Sequence, residues 1–101
     1  MTYRVTITQT KSALTPEGVN FFDPSNDFKT LFQSWIDAGN MTEVQNNVSE
    51  DGSQKVSVVE FPTEELHNNF IAQSVSIEYV TLRNTYNSEN KINFNRVGEV
   101  V

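Results

Sequence analysis

The chain contains no cysteine. That absence excludes disulfide frameworks, thiol catalysis, thiolate zinc sites and iron–sulfur clusters together. Histidine is almost as scarce: His67 stands alone, so one chain cannot build a two-histidine metal site. Basic residues number seven against thirteen acidic ones, and Arg4, Lys11, Lys29, Lys55, Arg83, Lys91 and Arg96 are scattered along the sequence. The net charge of −6 repels phosphate, which argues against a nucleic-acid partner. No apolar stretch nears the roughly 20 residues of a membrane span, and a strand-like pattern occupies the place of a signal peptide. A cytoplasmic protein with neither a membrane nor a nucleic-acid partner is expected. The glycines form no phosphate cradle, and there is no nucleotide fingerprint or hydrolase elbow. No cofactor or metal is expected.

What is present suits one domain of 101 residues, with a core large enough to fold without a metal or disulfide. Tyr3, Val5 and Ile7 alternate with polar residues, the period of a half-buried strand. Residues 10–26 read as a long loop punctuated by Pro16, Gly18 and Asp23-Pro24, yet Leu14, Val19, Phe21 and Phe22 are too apolar for full solvation. The pair Phe21 and Phe22 either plugs one end of the core or forms a flap over a pocket. Phe28, Leu31, Phe32, Trp35 and Ile36 fall on one helical face, with Ser25 or Asn26 as cap and Gly39-Asn40 as stop. Met41 to Val48 is a polar strand suited to a sheet edge. Asp51-Gly52 turns it into Lys55 to Phe61, which is apolar on both faces and so belongs in the sheet centre. Pro62 ends that strand. Thr63 caps a second helix carrying Leu66, Phe70 and Ile71. Val75, Ile77 and Tyr79 alternate with polar residues and, with Val80 and Leu82, predict a fourth strand. Residues 84–101 then read as a C-terminal extension that packs on its own subunit or contributes to oligomer formation.

The resulting order is β-α-β-β-α-β, the split βαβ or ferredoxin-like arrangement of the α+β class. Right-handed crossovers predict a four-stranded antiparallel sheet in the order 4-1-3-2, with two helices on one face. The opposite face is left bare, and an aliphatic bare face calls for a second copy of the chain. With this order, the stretch Val48 to Phe70, "VSEDGSQKVSVVEFPTEELHNNF", resembles the dimeric α+β barrel proteins. That superfamily includes antibiotic-biosynthesis-type monooxygenases and small uncharacterised proteins. The resemblance implies two ferredoxin-like sheets packed face to face and a pocket between sheet and helices lined by aromatic and amide groups.

Candidate site residues follow from these two lines. The aromatic surplus nominates Phe21, Phe22, Phe32, Trp35 and Tyr79 as the lining of a pocket for an apolar small molecule, fatty-acid-like or aromatic. His67 is the one candidate for a general acid or base, against the simpler reading of a histidine on a helix flank. Glu60 and Glu78, near Arg4, read as salt-bridge partners more than as an acid–base couple. The expected function is therefore a homo-oligomeric, non-enzymatic ligand-binding module. The alternatives are a cofactor-independent monooxygenase, as the resemblance implies, or a structural or regulatory assembly protein.

Overall fold

The computed structural model describes residues 1–101. Its elements are β1 (Tyr3–Lys11), α1 (Asn26–Asp37), β2 (Thr42–Val48), β3 (Gln54–Phe61), α2 (Glu64–Ile71), α3 (Ser74–Glu89) and β4 (Ile92–Val100). All four strands join one antiparallel sheet in the order β2-β3-β1-β4, with β1 and β3 in the interior. This is the expected 4-1-3-2 order of an α+β, ferredoxin-like arrangement. The identity of its fourth strand, however, differs from the expectation.

Residues 75–82 are helix, not strand. They form the first half of α3, and the sheet's fourth strand is supplied by residues 92–100. The physical reason lies in which side chains α3 buries. Ser76, Arg83 and Asn87 are buried, at i, i+7 and i+11 on one helical face, while Ile77 and Leu82 are exposed. The apolar alternation of Val75, Ile77 and Tyr79 therefore marks no sheet face. Residues 84–101 are likewise no appendage to the fold: they complete α3 and provide the edge strand paired along the full length of β1. Three helices, not two, cover the sheet.

Local chemistry explains the remaining elements. Ser25 caps α1 by accepting from the Phe28 amide, and Thr63 caps α2 by accepting from the Leu66 amide. The β2–β3 turn needs a left-handed residue and has Gly52 there at φ 73°. Asp51 braces the turn, accepting from the Ser49 hydroxyl and from the Ser53 amide and hydroxyl. Those bonds hold its carboxyl at about 2. The register of β2 shifts at Val44, so the edge strand is both polar and bulged, a common way of blunting an edge.

Cross-strand partners share a sheet face, which fixes the two sides. Tyr3, Val5, Ile7 and Gln9 of β1 stand with Val59 and Phe61 of β3 and with Phe94, Arg96, Gly98 and Val100 of β4. This is the side the helices cover. The core cluster is Val5, Phe28, Met41, Phe61 and Phe70, with Leu31, Phe32, Trp35, Ile36 and Tyr79 packed around it. On the other side, Val58, Thr6 and Val97 make one row across three strands and Val56, Thr8 and Asn95 the next. The smallest dimension of the molecule, 18 Å, accommodates a sheet and one helical layer at about 10 Å spacing. No helix lies on the Val58–Thr6–Val97 side. No helix is long and apolar enough to cross a membrane.

Candidate functional site between the helices and the edge strand

The helical layer has two chemically different halves. Under α1 and α2 it is aromatic. Phe70 meets Trp35 edge-on at 5.1 Å and lies 5.9 Å from Phe28, 6.3 Å from Phe32 and 5.8 Å from Phe61. Phe28 stacks on Tyr79 of α3 at 4.0 Å and 16°. Of the aromatic pocket candidates, Phe32, Trp35 and Tyr79 are thus brought together, and much of their surface is spent on each other. Phe22 joins them from the long connection, 6.0 Å from Tyr79 and 5.5 Å from Tyr86. That connection is pinned to the rest of the fold. The Tyr86 hydroxyl donates to the Asn20 carbonyl, and the Ser12 and Thr15 hydroxyls donate to the Lys91 carbonyl. Phe21 lies apart from the others: Lys11 Nζ sits 5.2 Å above its ring, beside a cleft of about 280 Å³ shared with Asn20, Val48, Gly52 and Lys55.

Under α3 the layer is polar. Asn87 Nδ2 donates to Gln9 Oε1 at 2.9 Å, and both residues are buried. Arg83 is 5 % exposed; its guanidinium lies 4.2 Å from the Phe94 ring centroid and 5.3 Å from that of Tyr79. Its Nη2 donates to Asn84 Oδ1, while Nε has no hydrogen-bond partner. Ser76 Oγ and Asn87 Oδ1 are also buried and unpartnered. A native interior contains few such atoms, and each calls for an explanation.

His67, on α2, lies between the two halves. It is buried against the rings of Tyr3 and Phe61, at 4.7 and 5.3 Å, rather than sitting on an open helix flank. Arg96 Nη2 donates to its Nε2, which leaves the proton on Nδ1 to be donated to Asn68 Oδ1. Burial and the Arg96 guanidinium hold the imidazole below its ordinary value, opposed by the Asn68 bond and by Glu64. Both ring nitrogens are therefore engaged. Glu60 forms the expected bridge to Arg4, at 2.6 Å, on the helix-free side of the sheet. Glu78, placed on α3, is exposed and has no part in it.

The residues that sequence reasoning missed are Gln9, Ser76, Arg83, Asn87 and Arg96. Two arginines that look scattered in the chain converge on neighbouring positions of one strand: Arg83 covers Phe94, and Arg96 follows two residues later on the same face. The usable signal was the helical spacing of Ser76, Arg83 and Asn87. It is hidden because those residues are polar.

Beside α3 the helix-facing side of β4 stays accessible. Phe94 is 36 % and Val100 51 % exposed, although both stand on the covered side of the sheet. Between them is Gly98, where any Cβ would run into the Tyr3 hydroxyl, so the glycine lets the Tyr3 ring close over the strand. The result is a shelf at the sheet edge that exposes Phe94, Arg96 and Val100, with Arg83 lying over Phe94 and the Tyr3 hydroxyl over Gly98. No three His, Asp or Glu side chains converge to hold a metal ion.

Comparison with known proteins gives structural neighbours only. The chain is similar to Rv0793 from Mycobacterium tuberculosis, with TM-score 0.47 and 10 % identity, over 98 % of this chain and 96 % of that one. It is also similar to protein SO0527 from Shewanella oneidensis, with TM-score 0.43 and 14 % identity, over 98 % and 92 %. No family model matches the chain, and no curated protein matches it in sequence.

Proposed function

We propose that this chain is a homo-oligomeric, non-enzymatic module of the dimeric α+β barrel type that binds an apolar small molecule, fatty-acid-like or aromatic, between its helices and its sheet. The observation that carries the ligand reading is the accessibility of Phe94 and Val100 on the helix-covered side of β4. Apolar groups left open on the inner side of an edge strand, next to a helix with a polar underside, offer a flat seat for a hydrocarbon or ring. Of the aromatic candidates, Tyr79 reaches this seat only through Arg83, while Phe22 packs on Tyr79 and Tyr86, and Phe32 and Trp35 pack on Phe70 in the aromatic half.

Two further observations support the rest of the reading. The occupied ring nitrogens of His67 favour binding over proton transfer. The bare side of the sheet, with the Val58–Thr6–Val97 row and Val97 45 % exposed, favours a second copy packed against it. Native mass spectrometry of the purified protein, followed by titration with fatty acids and aromatic compounds, is expected to show one small molecule per chain. Failure to carry or bind any of them overturns the ligand reading, and oxygen uptake with a quinol panel overturns the non-enzymatic one. Light scattering at micromolar concentration is expected to give at least a dimer; a clean monomer overturns the assembly.

A further inference from the structure

The chain is acidic overall, yet its two carboxylate–base ion pairs, Arg4–Glu60 and Lys29–Asp23, leave out the two arginines nearest the shelf. Arg83 is the sharper case. Its guanidinium is buried, lies between two aromatic rings and has an unpartnered Nε. Burying an unpaired charge is costly, and stacking on Phe94 and Tyr79 offsets only part of that cost. Arg96, bound on one side to neutral His67, is the other arginine without a carboxylate, and it is exposed. Arg83 covers Phe94, and Arg96 follows it two residues later on the same face of β4.

From this juxtaposition we infer that the shelf beside β4 is a site for a small organic acid, its carboxylate held by Arg83 and Arg96 and its apolar body laid against Phe94. The inference rests on the ligand-binding reading above and narrows it to a chemical class. A carboxylate fits because the planar guanidinium fork matches it and the free Nε–H offers the missing bond. A phosphate would be the poorer occupant. The chain's net charge of −6 opposes a dianion more than a monoanion, and the apolar floor contributes nothing to an inorganic ion.

The test is a titration of the 15N-labelled full-length protein with octanoate, benzoate, their uncharged amides and inorganic phosphate, followed in the amide and arginine Nε–H regions. The acids are expected to bind about tenfold more tightly than their amides and to move the Arg83 Nε–H resonance. Arg83→Gln is expected to remove that preference. Arg96→Gln, with folding confirmed from its amide spectrum because Arg96 also donates to His67, is expected to lower acid affinity by about threefold or more. Amides binding as well as acids overturn the acid site while leaving the ligand-binding reading intact. Phosphate matching octanoate also overturns it, and full acid affinity in Arg96→Gln overturns the two-arginine arrangement. Absence of binding by every compound at roughly 10 mM overturns the acid site and the ligand reading together.

Discussion

The layer under α1 and α2 and the layer under α3 lie side by side on one sheet but are held by different physics. The first is closed by rings: Phe28, Phe61 and Phe70 are buried, with Trp35 and Phe32 packed on them. The second is closed by Gln9, Ser76, Arg83 and Asn87, all buried and only partly satisfied. Aromatic burial is non-directional and tolerates imperfect fit. Buried hydrogen-bonding groups stabilise only when their partners are in place. The contrast assigns stability to the first half and specificity, for a ligand or for a particular register, to the second.

The largest expected effect falls in the aromatic half. Phe70→Ala removes the ring that contacts Phe28, Phe32, Trp35 and Phe61, and it is expected to cost about 3–5 kcal/mol. Urea unfolding followed through Trp35 fluorescence reads this; a loss under about 1 kcal/mol would mean that the rings do not form the stable half. In the polar half, Asn87→Ala strands the buried Gln9 amide oxygen and is expected to cost about 1–3 kcal/mol. Replacing both partners, Gln9→Met with Asn87→Leu, should recover most of that loss, because no buried polar group is left unpaired. If the double variant is as unstable as the single one, the penalty is one of shape and the contrast between the halves weakens.

Thr63→Ala, which removes the cap of α2 at the boundary between the halves, is expected to lose about 1 kcal/mol. Thermal unfolding measures it, and Thr63→Ser should restore the wild-type value. The smallest effect is a pH dependence from His67. Its folded value lies below the ordinary 6.5, so the unfolded chain takes up the proton first as pH falls. The stability contributed by the neutral imidazole is complete above about 6.5 and declines as pH falls below it toward the lowered folded value. The groups facing the ring are Arg96, Asn68, Tyr3 and Phe61, with Glu64 on its own helix. Denaturant midpoints between pH 7.5 and 5 should show this decline in the wild type and a shallower one in His67→Gln.

How far the fold was legible differs by element. α1 announces itself because its buried residues are apolar and locally spaced, and its cap is next to it in the chain. The β2–β3 hairpin is equally local, since one glycine and one aspartate fix its turn. α3 misleads for the opposite reason. Its buried residues are polar, while Ile77 and Leu82 face outward, so hydrophobic periodicity points to the wrong element. β4 is hidden by exposure: apart from Ile92 none of its residues is buried, and its strand character rests on pairing with β1. The aromatic side of the candidate site was visible in composition. The arginine side was not, because a cation looks like a solvated surface residue until a helix carries it onto a ring.

By itself the sequence determined the α+β class, the elements from β1 to α2 and the absence of thiol chemistry, because these depend on composition and on signals within a few residues. Which segment closes the sheet, and where Arg83, Arg96 and His67 meet, only the tertiary structure decided. Tyr3 must find Val100 across nearly the whole chain, and Gln9 must find Asn87, before α3 has any reason to bury its polar face. Contacts made at such separation leave no local pattern to read.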